Sequence, residues 1–356
     1  YLNVDTEDNT CFEKRQMALT FAPTLIRQKS SFGSEVSFYA EELLKHLIAL
    51  TNHFEEKDFE SKRLNCLISV ISASPSSAAY AVDLLASGDY SLLQRIALLS
   101  SLSLSARDLK GFKDTVVENS YEPKSSPSKQ LPRSIHSAYM AMEDHLNSRS
   151  SSTTSIERQL QDSLMDDVSS NFKELSVGKV LRVLRRLTKK QEPNDKPVAE
   201  FATIIGKYFF FPLVKTWHEV GEIDIGHYTP LLVAHYIKTL SLILHCAYPT
   251  ASNLSDMIKE YLIILSSLLM RIGTDEVQVV ESVATGFLLV FDITDEENLV
   301  TSHGDVLALL QTWLSSSWDS IVDEKAKSLC AGLLLRLNSI LEKNQRLLMD
   351  QINSLY

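Results

Sequence analysis

The feature that most restricts this chain is the spacing of its apolar residues, which recur at three- and four-residue intervals and rarely alternate. Over residues 35–54, Val36, Tyr39, Ala40, Leu43, Leu44, Leu47, Ile48 and Leu50 follow a helical repeat, while Glu41 and Glu42 fall mostly on another face. Residues 59–73 repeat the pattern through Leu64, Leu67, Ile68 and Ile71, ending at Ser74-Pro75. A third helix is predicted over 76–86. Ser91 is placed to cap a fourth that holds Leu92, Leu93, Ile96, Leu99, Leu102 and Leu109, with Gly111 at its expected C-terminal stop. Only 11 glycines and 10 prolines occur in 356 residues, too few for the turns of an all-β fold.

Further helices are predicted over 172–187, 198–217 (bent or broken at Pro212), 230–247, 254–271, 276–291, 299–314 and 320–348. The last five starts lie about 20–25 residues apart, so a helix pair takes about 45 residues, the period of HEAT-type pairs. Between the helical stretches, residues 119–155 carry Pro123, Pro127, Pro132 and eleven serines with few large aliphatics. Such a segment buries too little apolar area to offset its chain entropy, although 135–146 and 157–168 could form short helices. The expected class is therefore all-α: an α-solenoid of HEAT-like helical repeats in two segments, 1–118 and 171–356, joined by a flexible Ser/Pro-rich linker over 119–170. A non-repetitive helical bundle is the competing reading. The chain opens on Tyr1 rather than Met, which reads as a piece of a longer protein. No apolar run reaches 18 residues without a polar interruption, so no membrane partner is expected.

The net charge is −10, the opposite of a general nucleic-acid binder. It is uneven: residues 1–106 hold 9 basic and 13 acidic side chains, 107–215 hold 18 and 14, and 216–356 hold 8 and 18. The last helices should therefore present an acidic surface. Cys11, Cys66, Cys246 and Cys330 form no CxxC pair, which fits a reducing compartment.

Gly178-Lys179 and Gly206-Lys207 lack the upstream glycine and the following hydroxyl of a phosphate loop. No GxGxxG, GxSxG or HExxH occurs. His245 and Cys246 are neighbours, about 100° apart on a helix, and read as partly buried rather than ligating. Asp295, Glu296 and Glu297 lack the glycine of a Ca²⁺ loop and read as the acidic start of a helix. No catalytic residue, cofactor or metal is expected.

Two stretches could contact partners. Arg182, Arg185, Arg186 and Lys189 lie in a basic segment, 179–190, that could meet phosphates or an acidic partner helix. The plainer reading is the solvated face of an amphipathic helix; a telomeric DNA-binding helix is the alternative, weakened by the lack of interleaved aromatics. The run Tyr208-Phe209-Phe210-Phe211-Pro212-Leu213 reads first as a core anchor and second as a docking patch.

Several blocks carry a family resemblance. They are Leu25-Ile26-Arg27-Gln28-Lys29, Phe32-Gly33-Ser34-Glu35, Ala40-Glu41-Glu42-Leu43-Leu44, Asn52-His53-Phe54 and Phe59-Glu60-Ser61-Lys62-Arg63. The most specific are Gly88-Asp89-Tyr90-Ser91-Leu92-Leu93-Gln94-Arg95 and Ala106-Arg107-Asp108-Leu109-Lys110-Gly111, the latter with Asp108 where the family usually has Glu. Together they resemble the telomere length regulation protein family over about 115 residues. The resemblance implies an α-solenoid in two parts and a family domain that lacks, in this chain, a preceding N-terminal helical region. It implies a non-catalytic scaffold that works with two Tel-two-interacting protein subunits, with heat-shock protein 90 and its adaptor complex. As a cochaperone it would support phosphatidylinositol-3-kinase-related kinases, and through them telomere length and DNA-damage signalling. It also implies a cytoplasmic and nuclear location. Some members carry an acidic serine motif phosphorylated in the linker; the nearest sites here are Thr154 (Glu157 at +3) and Ser163 (Asp166 at +3).

Overall fold

The structure is a computed structural model, and it describes residues 9–112 and 200–354 apart from short breaks at 31, 53–55, 57, 88–89 and 225–229. Its described residues are helical, without strands. The first part contains α1 (Asn9–Ser30), α2 (Glu35–Ala49), α3 (Phe59–Ala73), α4 (Ser77–Ala86) and α5 (Leu92–Lys110). The second opens with α6 (Phe201–Ile204), a π-turn (Ile205–Phe210) and α7 (Phe211–Asp224). Then come α8 (Pro230–Ala247), α9 (Leu254–Leu269), α10 (Val277–Ile293), α11 (Glu296–Ser317) and α12 (Glu324–Ser354).

The helices stack in two layers. One layer runs α1, α3, α5, α8, α10, α12, each against the next; the other runs α2, α4, α7, α9, α11, more loosely. This alternation is the arrangement of an α-solenoid, in which each pair covers the apolar faces of its neighbours. The expected boundaries at 118 and 171, and the expected linker, lie outside the described residues. On either side of that segment α5 packs directly on α8, and one hydrophobic core runs from Leu19 to Ile340.

Several elements depart from simple periodicity. The aromatic run does anchor the core, with Phe209, Phe210 and Leu213 fully buried. Pro212 neither breaks nor ends that helix, because the preceding turn widens: the Phe211 N–H reaches back five residues to the Gly206 carbonyl. A π-turn accommodates the missing N–H and the ring of Pro212, and the helix continues to Asp224. Gly206 leaves room for the Phe211 ring, which would lie 3.3 Å from an added Cβ. Helix α2 stops at Ala49 rather than Phe54, because Leu50 turns extended, and Phe38 and Tyr39 stand exposed.

Helix α5 is buried on nearly all sides, including Ser100, Ser101, Ser103 and Ser105. Small side chains let neighbouring helices approach, and every hydroxyl is satisfied. Ser101 donates to the Leu98 carbonyl (2.7 Å), Ser103 to that of Ser100 (3.0 Å) and Ser105 to that of Ile68 (3.4 Å). Ser100 Oγ bonds His235 Nε2 across the α5–α8 seam at 2.9 Å. Between α8 and α9, the fully buried Tyr261 hydroxyl bonds Ser241 Oγ at 2.6 Å. Gly286 on α10 sits against that same hydroxyl. Helix α8 is long and apolar enough to cross a membrane, and its position at the centre of the stack gives a packing reason for that composition.

Candidate functional site

The two most specific blocks of the family resemblance, where described, open and close α5. Ser91 has extended backbone (φ −63°, ψ 160°), and its hydroxyl accepts the Gln94 N–H while Gln94 Oε1 accepts the Ser91 N–H, a reciprocal capping box. The other end of the Gln94 amide donates to the Ile48 carbonyl at the end of α2 (2.7 Å). Arg95 Nε donates to the Tyr90 carbonyl (3.2 Å). At the far end of α5, Gly111 takes the left-handed conformation (φ 89°) that closes a helix with least strain in glycine.

Between those ends the motif residues reach outward to other elements. Asp108 pairs with Arg27 of α1 at 2.9 Å. Lys110, nearly buried, donates to the Tyr248 carbonyl (3.2 Å) and to Thr250 Oγ1 (2.9 Å) in the α8–α9 turn, and lies over the Phe201 ring (5.3 Å). Arg107 is buried over the Phe112 ring at 5.1 Å. Burial, reinforced by the charges of Arg107 and Lys110, pushes the nearby His245 imidazole down to about 4. Burial also lowers the Lys110 ammonium from its ordinary value. The same logic holds in the earlier blocks. Arg63 is buried over Phe59 (5.4 Å), donates to the Leu50 carbonyl (2.8 Å) and pairs with Glu60. The Asn52 side chain brackets its loop through the backbone of Glu56 at 2.9 and 3.0 Å. The motif side chains therefore fix the register of the stack, and their chemistry is architectural.

What the stack offers to other molecules is its surface. Nearly half of the large apolar side chains that stand exposed among the described residues precede residue 40. Met17, Phe21 and Leu25 recur every fourth residue on α1 and are 63, 57 and 56% exposed. They point away from Leu19, whose side of the helix enters the core and whose carbonyl meets Cys66 Sγ at 3.4 Å. Phe32 (86%) and Phe38 (78%) add to the same first hairpin, Phe38 stacked edge-on with Tyr39 at 4.9 Å. Three large apolar side chains in one exposed row are more than a solvated helix face normally carries.

The sequence-derived candidates fall differently. Arg182, Arg185, Arg186 and Lys189 lie outside the described residues, as do Thr154 and Ser163. Cys246 is fully buried and His245 half-buried. Asp295 caps α11, accepting the Asn298 N–H at 3.4 Å, so the acidic triplet is a helix start. Among the described residues, no three His, Cys, Asp or Glu side chains are grouped as a metal centre would need. The exposed α1 row escaped the sequence reading because Met, Phe and Leu at helical spacing look the same whether they face a core or a partner.

Residues 1–106 match the model of the telomere length regulation protein family. The chain is 33% identical to the telomere length regulation protein TEL2 of Saccharomyces cerevisiae over 226 residues, 63% of this chain and 28% of that protein. It is 26% identical to the DNA replication checkpoint protein tel2 of Schizosaccharomyces pombe over 353 residues, 97% of this chain and 38% of that protein. It thus spans well under half the length of these relatives, which are named for regulation and a checkpoint rather than for a catalysed reaction. No solved structure matches the chain. Residues 1–106 thus match the telomere length regulation protein family, and the two relatives carry the likeness along the rest of the helical stack.

Proposed function

We propose that this chain is the scaffold region of a non-catalytic regulator acting in telomere length control and the DNA replication checkpoint. The observation that carries the reading is the unbroken two-layer stack with an apolar row, Met17, Phe21 and Leu25, exposed on its first hairpin. Its helix pairs are HEAT-like repeats, and their exposed faces are docking surfaces. The similarity to proteins named for telomere length and checkpoint control supports the functional side. In this reading the protein joins two Tel-two-interacting subunits, works with heat-shock protein 90 and its adaptor complex, and sustains the phosphatidylinositol-3-kinase-related kinases in cytoplasm and nucleus.

The test has two arms. Depleting the whole protein should lower the amount of these kinases while their messenger RNA stays level; unchanged kinase amounts would refute the cochaperone role. Replacing Met17, Phe21 and Leu25 together by Asp should release the partner subunits on affinity purification while the thermal unfolding midpoint holds. Full retention of the partners would remove this face as the interface.

A further inference from the structure

The exposed row on α1 is the middle of a longer ridge. Glu13, Met17, Phe21, Leu25 and Lys29 recur at every fourth position of this helix, and all five are exposed. Residues four apart lie one above another on a helix, so the ridge reads acid, three large apolar side chains, base. Leu19 enters the core from the opposite side of α1, which leaves the ridge toward solvent along its length.

The order of these residues has a symmetry. Phe21 is the midpoint, Met17 and Leu25 stand four positions to either side, and Glu13 and Lys29 stand eight. Turned end for end, the ridge complements itself: Phe21 meets Phe21, Met17 meets Leu25, and Glu13 meets Lys29. The polar residues beside it keep the same rule, with Lys14 and Gln28 each seven positions from Phe21 and both exposed. Next to Phe21, the small side chains of Ala18 and Ala22 are partly covered and leave a shallow groove. A ridge of fourth residues laid into such a groove is the commonest way that helices pack in globular proteins. Lys29 reaches Glu35 of its own chain at 3.7 Å, but these side chains are 65 and 78% exposed, and an ion pair so placed contributes little.

We infer that the α1 ridge is a two-fold interface on which a second copy of this chain packs antiparallel, with a Glu13–Lys29 pair at each end of the apolar row. The charge order selects the occupant. A covering helix must bring a base to one end and an acid to the other, each eight positions from an apolar centre, and α1 itself, reversed, brings them. Parallel pairing would instead set Glu13 on Glu13 and Lys29 on Lys29. The contact is isologous, so every pair off the axis is made twice. One helix face per copy is small beside the roughly 1,200–2,000 Å² of a standard interface, and the dimer is expected to dissociate at about 10–100 μM. It depends on the function proposed above in one respect only, that the α1 row is covered by protein; a second copy holds the place until a partner subunit with a larger surface takes it.

Sedimentation equilibrium of the whole chain, from well below to well above that concentration range, tests this. The parent should pass from monomer to dimer. Phe21→Asp should weaken association about tenfold or more, with an unchanged unfolding midpoint because the ring is exposed. Glu13→Lys and Lys29→Glu should each weaken it about threefold or more, since each sets like charges together at both ends. Both changes also oppose the dipole of α1, so an equimolar mixture of the two variants separates pairing from helix stability. In the mixed dimer each variant supplies the charge that the other lost, and association should return to within about twofold of the parent. A chain that is monomeric at every concentration overturns the inference, as does a dimer that Phe21→Asp leaves intact, or a mixture that associates no better than its components. A monomeric parent whose partner subunits are still released by the triple Asp variant loses the self-association and keeps the docking face. A parent that dimerises by these rules, while the triple variant retains its partners, keeps the self-association and loses the docking face.

Discussion

At the scale of single residues, the core depends on a few close fits. A methyl group at Gly286 would run into the Tyr261 hydroxyl and lie 3.2 Å from both methyls of Leu265. Tyr261 cannot swing away cheaply, since it is fully buried and bonded to Ser241. Gly286→Ala should therefore destabilise the protein by about 1–3 kcal/mol in urea unfolding, the usual cost of overpacking. Adding Tyr261→Phe, which removes the obstructing oxygen, should make the double variant more stable than the sum of the two single changes. His245 gives a pH-dependent counterpart. Its imidazole titrates at about 4 in the folded protein against 6.5 ordinarily, so the unfolded chain binds a proton that the folded one refuses between those values. Stability is then undiminished above pH 6.5 and falls as pH drops toward 4, by at most about 1.4 kcal/mol per pH unit. Comparing urea midpoints at pH 7 and pH 5 should show a smaller acid loss for His245→Asn than for the parent; equal losses would mean that His245 is not the group involved.

At the scale of elements, legibility followed the simplicity of the packing. Residues 59–73 and 230–247 were placed to the residue, because strong apolar periods there meet a clear stop or start. The Ser91 cap and the Gly111 stop were legible too, since both depend on local backbone chemistry. Ser91→Ala should cost about 1 kcal/mol, and Ser91→Asp should restore most of it, as read by thermal unfolding. What lies between those ends was less legible. Four serines in α5 look like a wet face, yet they are the small residues that let α3 and α8 close in. The π-turn before Pro212 and the interruption at His303 have no periodic signature, because each is an adjustment of backbone to tertiary neighbours.

At the scale of the whole molecule, the sequence led to a helical stack in two parts, and the described helices of both parts share one core. The seam between them is specific as well as apolar. Ser100 meets His235, and Lys110 meets the turn at Tyr248 and Thr250, so a slip of α8 along α5 would strand buried polar groups. Chains 1–118 and 171–356, expressed together as separate polypeptides, should therefore co-elute and unfold in one transition. Separate elution with two transitions would show that each part is a body of its own.

The alternation of layers has a topological consequence. Helices α7 and α8 occupy the slots next in line after α4 and α5, whichever covalent route leads to them. Nothing in that arrangement requires donor and acceptor slots to belong to one molecule. Two copies could trade everything after Glu200 and satisfy every hydrogen bond across the seam, so the architecture already contains the plan of an exchanged dimer.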